Sequence, residues 1–289
     1  MRELRDLAAR LLAEGVVRVV IGWEEGPRGV RPAFVTTPAD AERLVFDARC
    51  VHNLAAYLNP RRPHVKRLGR PAVVVKGCDA LAVAALLRES QIRREDLVVI
   101  GVRCAGVFET PDTRDDAAPI AARCAGCDRS HPGLADHVVG PEVVERIAPP
   151  KSLDDRVEEF KARGLEERWA FWSSAFDTCI RCHACREVCP LCFCERCVAD
   201  KTAPQWIESS AHGRGTLAWQ VTRALHLAGR CAGCGECERA CPAGIPLTLL
   251  NRKLQQAVCE RFDFEVSDDP AVGAPIGAFR TDDPQEFIR

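Results

Sequence analysis

The sequence predicts an α/β domain over residues 1–150, a mostly α-helical, cysteine-rich domain over 151–262, and a C-terminal tail over 263–289. Three observations carry this division. Two short β-branched runs, 72–76 and 97–102, flank a helical stretch, the pattern of a βαβ unit with parallel strands. The segment GPEVVERIAPPKS (140–152) holds a Pro-Pro pair and little periodicity, and marks the boundary. Beyond Leu153 helical spacing dominates around two cysteine motifs of identical spacing.

Taken in order, residues 3–14 place Leu4, Leu7, Ala8, Leu11 and Leu12 at helical intervals. VVRVVIG (16–22) is a β-branched run ending at glycine and is expected to be a strand. Residues 41–58 read as a helix. AVVVK (72–76) is a buried strand, 79–89 a helix, and LVVIGV (97–102) a second strand. A loop rich in Asp, Pro and Thr follows at 109–119, then a loop holding Cys124 and Cys127. Past the boundary, the stretch from Leu153 is a charged helix with Trp169 and Trp172 among its apolar positions. Residues 216–227 and 247–258 are two further helices, and the acidic tail from Asp263 is expected to hug the surface or bind a partner.

Forty basic against 41 acidic side chains leave a formal charge of −1, without the basic footprint of a nucleic-acid binder. No apolar run approaches the roughly 18 residues of a membrane span. The amphipathic N-terminus lacks the apolar core of a signal peptide, so a cytoplasmic location is expected. A cytoplasmic chain does not usually spend 17 cysteines on disulfides.

Their spacing gives the chemistry. Cys179-x2-Cys182-x2-Cys185-x3-Cys189-Pro190 and Cys231-x2-Cys234-x2-Cys237-x3-Cys241-Pro242 are each the full bacterial-ferredoxin run. Three thiolates at every third residue wrap one corner of a cubane; the fourth lies too far along and reaches the other cluster. The expected ligand sets are therefore Cys179, Cys182, Cys185 and Cys241 for one [4Fe–4S] cluster, and Cys231, Cys234, Cys237 and Cys189 for the other. Zinc would ask for two pairs rather than a triplet plus one. The long insert between Cys189 and Cys231 resembles the α-helical dicluster ferredoxin type, as in the heterodisulfide-reductase-C-like proteins and the iron–sulfur subunits of succinate dehydrogenase.

Cys78 (KGCD) follows the first parallel strand and Cys104 (GVRC) the second. Parallel strands end at one sheet edge, where α/β folds place ligands, so the two thiols should be neighbours. A helix N-terminus at Cys78 favours its thiolate. Cys124 and Cys127 could complete a set of four, for which a third [4Fe–4S] cluster, zinc and free structural thiols are the alternatives.

The run VVVKGCDALAVAALL…RREDLVVIGVRCAG, with its later CxxC, resembles the beta-subunit family of the coenzyme F-420-reducing hydrogenases and dehydrogenases, which includes formate dehydrogenase beta subunits. The resemblance covers roughly residues 40–140 and, with the ferredoxin part, extends to about 260. The family usually has proline before the second cysteine, where this chain has Arg103. Its members carry iron–sulfur clusters and some bind FAD, so the resemblance implies that a flavin could be held, although no GxGxxG fingerprint is present.

Cys192, Cys194 and Cys197 crowd behind the first motif, as packing thiols, a second metal position or a redox contact with a partner. Cys50 and Cys259 read as packing residues. His183 stands between two ligands and could tune a cluster or point outward. Trp169, Trp172, Trp206 and Trp219 read as aromatic core, Lys76 as a solvated strand-end charge and Asp79 as a helix cap. No catalytic residue stands out. The leading expectation is an iron–sulfur electron-transfer subunit of a multisubunit oxidoreductase. Its partners would be other redox subunits: heterodisulfide-reductase-like, hydrogenase, formate dehydrogenase or NADH-oxidising flavoprotein. One alternative is an FAD-containing oxidoreductase acting on a deazaflavin or nicotinamide; another is a thiol/disulfide redox subunit.

Overall fold

A computed structural model describes residues 1–143, 147–275 and 281–282. Part of the acidic tail, 276–280 and 283–289, lies outside the described residues. Helix α1 (Arg2–Ala13) buries Leu4, Leu7, Ala8 and Leu11 against the sheet. The sheet has six strands: β1 (Val19–Gly26), β2 (Gly29–Val35), β3 (Leu44–Val45), β4 (Pro71–Val75), β5 (Val98–Val102) and β6 (His137–Val139). Their order is β2-β1-β4-β5-β6, with β3 paired to β1. The β1–β4, β4–β5 and β5–β6 pairs are parallel, and β2 and β3 run antiparallel to β1. A one-turn helix α2 (Pro63–Lys66) precedes β4, and α3 (Gly77–Arg88) crosses from β4 to β5. Both faces of β4 and β5 are covered, which is why they read as uninterrupted apolar runs.

Two expectations for this half need correction. Residues 41–58 are not a helix: they form 3-10 turns at Ala39–Arg43 and Leu54–Leu58 around the short strand β3. Lys76 explains part of this, because its Nζ donates to the carbonyls of Cys50 and His52, which a helix would need for itself. The Asn53 side chain then accepts the Ala55 N–H and starts the second turn. The first strand also runs further than 22 and pairs with the unanticipated β2 in a hairpin. Glu24 and Glu25 hid it, yet Glu24 is buried and ion-paired to Arg31 and Arg43.

The second half is helical. Helices α4 (Leu153–Lys161) and α5 (Leu165–Asp177) are separated by Gly164. Short helices α6 (Ala184–Glu187) and α8 (Glu236–Arg239) sit inside the cysteine motifs, and α7 (Gly213–Leu227) and α9 (Leu247–Phe262) frame them. Trp172 and Trp219 pack in the core, whereas Trp169 and Trp206 are exposed, 58% and 68%, so only half of the expected aromatic core exists. The halves are joined by buried polar contacts. Glu236 accepts the Asn53 backbone N–H at 2.7 Å, and Arg230 pairs with Glu89 at 2.5 Å.

Candidate metal centres

The two ferredoxin motifs share one backbone device. In each, the second and fourth residues after the first cysteine have positive φ: Arg181 (53°) and His183 (59°), then Gly233 (68°) and Gly235 (73°). Each pair of reversals is followed by a one-turn helix carrying the third cysteine, Cys185 on α6 and Cys237 on α8. The turns aim backbone donors at sulfur, and Gly233 N–H donates to Cys231 Sγ at 3.4 Å. Glycine adopts this conformation freely, while other residues lose about 1–2 kcal/mol each. In the first motif local contacts offset that loss. Arg181 donates to the Glu208 and Gly215 carbonyls, both at 2.9 Å, and the His183 ring meets Trp219 edge-on at 4.6 Å. His183 therefore packs inward rather than pointing outward.

Most cysteines of each expected set lie within electrostatic reach of one another. In the first, burial pushes the Cys185 thiol up to about 11, and Cys179 and Cys241 lie among the charges that act on it. Cys179 and Cys241 pack on the same apolar cluster as Cys185, and Cys182 lies in the adjoining turn, exposed. In the second, burial pushes Cys231 up to about 12, with Cys237 and Cys189 adding to the shift. Cys234 is raised well above its ordinary range by burial, with Glu236, Cys231 and Cys189 contributing. Cys189 of the first motif lies within electrostatic reach of Cys231 and Cys234, and both Cys237 and Cys241 of the second motif lie within reach of Cys185.

The third set lies at the C-terminal ends of β4 and β5. A Cβ on Gly77 would come within 2.1 Å of the Arg129 carbonyl, so only glycine lets the 124–130 loop lie against the start of α3. Cys104 N–H donates to Ser130 O at 2.9 Å, tying the other strand end to that loop. Cys78 consequently feels Cys104 and Cys124, and Cys127 feels Cys124. The helix N-terminus does not prevail at Cys78: burial, then Asp79, raise its thiol well above the usual range, while Lys76 opposes them. Lys76 itself is buried, not solvated, and pairs with Asp79 at 2.8 Å.

The donor chemistry fits iron–sulfur clusters. Buried thiols with raised pKa values stay protonated in the free chain; a coordinating metal deprotonates them outright. N–H donors already point at sulfurs of all three sets: Gln220 Nε2 to Cys179 (3.4 Å), Asn251 Nδ2 to Cys237 (3.6 Å), Gly106 N to Cys104 and Arg129 N to Cys127 (both 3.4 Å). Such bonds to cluster sulfurs set their potentials. Among the described residues, no three His, Cys, Asp or Glu side chains are already grouped so as to hold a metal ion.

Two cations missed in the sequence link the sets. Arg123, its side chain 10% exposed, pairs with Glu109 at 3.0 Å and also feels Cys124 and Cys78 of the third set and Cys234 of the second. Arg223, also buried, feels Cys237 and Cys189 of the second set and Cys185 of the first, and donates to the Cys185 carbonyl at 3.1 Å. Neither stands inside a motif, so spacing gave no signal for them. A cavity of about 620 Å³ is lined by Cys78, Cys127, Cys189 and Cys231 together with both arginines. Of the extra cysteines, Cys192 packs beside Cys189 and Cys231, Cys197 beside Cys179 and Cys241, and Cys194 is exposed. Among the described residues no helix is long and apolar enough to cross a membrane.

Residues 175–245 match the 4Fe-4S dicluster domain family, so the chain carries two [4Fe–4S] clusters in this region. Over most of its length it resembles beta subunits of formate dehydrogenases. It is 23% identical to the F-420-dependent formate dehydrogenase subunit beta of Methanocaldococcus jannaschii, over 86% of each chain. It is also 23% identical to the F-420-dependent formate dehydrogenase 1 subunit beta of Methanococcus maripaludis, over 92% of this chain and 90% of that one.

Proposed function

We propose that this chain is the electron-relay subunit of a formate dehydrogenase-type oxidoreductase, with three [4Fe–4S] clusters held by the three cysteine sets. The observation that carries the reading is the pair of ferredoxin motifs, matched by the dicluster family, beside Cys78 and Cys104 at the ends of β4 and β5, where the 124–130 loop is held by the Cys104 N–H to Ser130 O bond and by close packing on Gly77. A bound cluster supplies reversible one-electron chemistry. The chain's part is to hold the thiolates, donate N–H groups to their sulfurs and keep positive charge beside them.

The first set marks one end of the relay, since Cys182 and Ile180 are exposed, the latter 64%. A redox partner docks there, as the relatives' role as one subunit of a formate dehydrogenase suggests. The third set, on the α/β domain, is the opposite end and faces the other partner.

Anaerobic native mass spectrometry with iron and sulfide assays tests this. The chain should hold about twelve iron and twelve sulfide, four of each per cubane. Cys78→Ala should lose about a third of both. The reduced wild type should also show EPR signals broadened by interacting clusters, and Cys78→Ala should simplify them. About eight irons in both proteins would remove the third cluster and leave the α/β domain as a docking module. Eight irons with a bound flavin would move the active centre into that domain.

A further inference from the structure

We infer that Cys192 is a reserve ligand for the iron that Cys189 holds in the second set. The inference rests on the assignment of Cys189, Cys231, Cys234 and Cys237 to one cluster. The two motifs differ immediately after their fourth cysteine: the first continues Cys189-Pro190-Leu191-Cys192, the second Cys241-Pro242-Ala243-Gly244. Because Cys189 crosses to the second set, only that set gains a fifth thiol by this turn.

The turn is closed and held. Cys192 N–H donates to Cys189 O at 3.3 Å. Cys189, Cys192 and Cys231 pack together against Ala85, Leu86, Leu191 and Leu227. The α/β domain grips the turn from outside. Asn59 Nδ2 donates to the Pro190 carbonyl (3.2 Å) and the Cys192 carbonyl (3.3 Å), and Arg61 donates to the latter at 3.1 Å. These bonds from Asn59 and Arg61 hold the Cys189–Cys192 turn in place and fix Cys192 beside its neighbour. Arg223 lies within electrostatic reach of both sulfurs, so negative charge is accommodated on either.

The exchange balances without electrons. The iron–sulfur bond to Cys189 breaks, a bond to Cys192 forms at the same iron, and the Cys192 proton passes to the departing Cys189 sulfur. The set keeps four thiolates throughout. Its place between the other two sets is where loss of one iron would interrupt a relay.

The test uses Cys189→Ala, Cys192→Ala and the double variant in the full chain, with Cys234→Ala as control, read by iron per chain and low-temperature EPR. Cys189→Ala should keep the iron and the four-iron signals of wild type, and the double variant should lose iron from the second set. Equal iron loss in Cys189→Ala and the double variant overturns the proposal. If instead Cys234→Ala and the double variant both keep wild-type iron, the assignment of the second set itself fails. Should Cys189→Ala not fold, Cys192→Ala serves alone. Ferricyanide oxidation should then produce more three-iron signal in Cys192→Ala than in wild type, and equal yields overturn the proposal.

Discussion

Replacing Lys76 with methionine isolates the buried charge beneath the third cysteine set. The lysine is 2% exposed and its partner Asp79 0%. Lys76 Nζ lies 2.8 Å from Asp79 Oδ2, donates to the carbonyls of Cys50 (3.0 Å) and His52 (2.8 Å), and stands 4.5 Å over the Trp23 ring. Methionine fills the same volume but leaves a buried carboxylate with the residue 76 backbone N–H, 3.1 Å away, and the weak Cys78 thiol donor at 3.8 Å, and no cation. Breaking one partner of a buried pair costs about 3–5 kcal/mol. For a chain of this size each kcal/mol lowers the melting temperature by about 2–4 °C, so the loss should be roughly 6–20 °C. Lys76→Met/Asp79→Leu removes both charges and should regain at least half of it, because an intact pair adds little over apolar residues of similar volume. The assay is anaerobic thermal unfolding by circular dichroism at one scan rate. A loss under about 3 °C for the single variant, or a double variant no better than the single, would refute the reasoning.

Three further outcomes are expected. Burial works against the Glu236 carboxylate, but His52, Arg239 and the Asn53 N–H outweigh it and hold its pKa below the ordinary 4.5. Its stabilisation is therefore present above that unfolded-state value and lost as pH falls through the lower folded one. Melting curves from pH 7 downward should show wild type ahead of Glu236→Gln at neutrality, with the gap closing below about pH 4.5. Gly235→Ala should cost more stability than Gly126→Ala: both have φ near +70°, but a Cβ at 235 would meet Arg123 at 2.9 Å, while nothing lies within 4 Å at 126. Equal melting temperatures would show that Arg123 does not rest on Gly235. Finally, Arg223→Met should lower the reduction potentials of the first and second sets and leave the third unmoved in an EPR-monitored titration.

Regular elements were legible where one physical signal dominated. Strands β4 and β5, buried on both faces, read as continuous apolar runs, and α1 showed its face through Leu4, Leu7 and Leu11. The failures share a cause, which is tertiary satisfaction of polar groups. Glu24 looked like solvent but is matched by Arg31 and Arg43 from the hairpin and the following turn. Residues 41–58 carried helical spacing, yet Lys76, just past the end of β4, captured their carbonyls. The neighbouring positions of Cys78 and Cys104 followed from the rule that parallel strands end together, and the proposed ferredoxin sets rest on covalent spacing. The arginines between them did not, because a cation placed by burial leaves no periodic trace.

The charge arrangement explains why those cations are where they are. Gathering thiolates in a buried volume concentrates negative charge, and an uncompensated buried charge is far costlier than a paired one. N–H donors on sulfur compensate one set at a time. A cation between two sets compensates both, and it responds to a change of charge on either. Lys76 faces Asp79 and, of the cysteines, Cys78 and Cys104 of the third set. Arg123 and Arg223 each face two. Were clusters held by these sets, each added electron would be offset in part by a cation that also serves the next set, so neighbouring sets would share the same positive charge. That sharing is what the proposed relay would use, and a cluster that merely stabilised the fold would have no need of it.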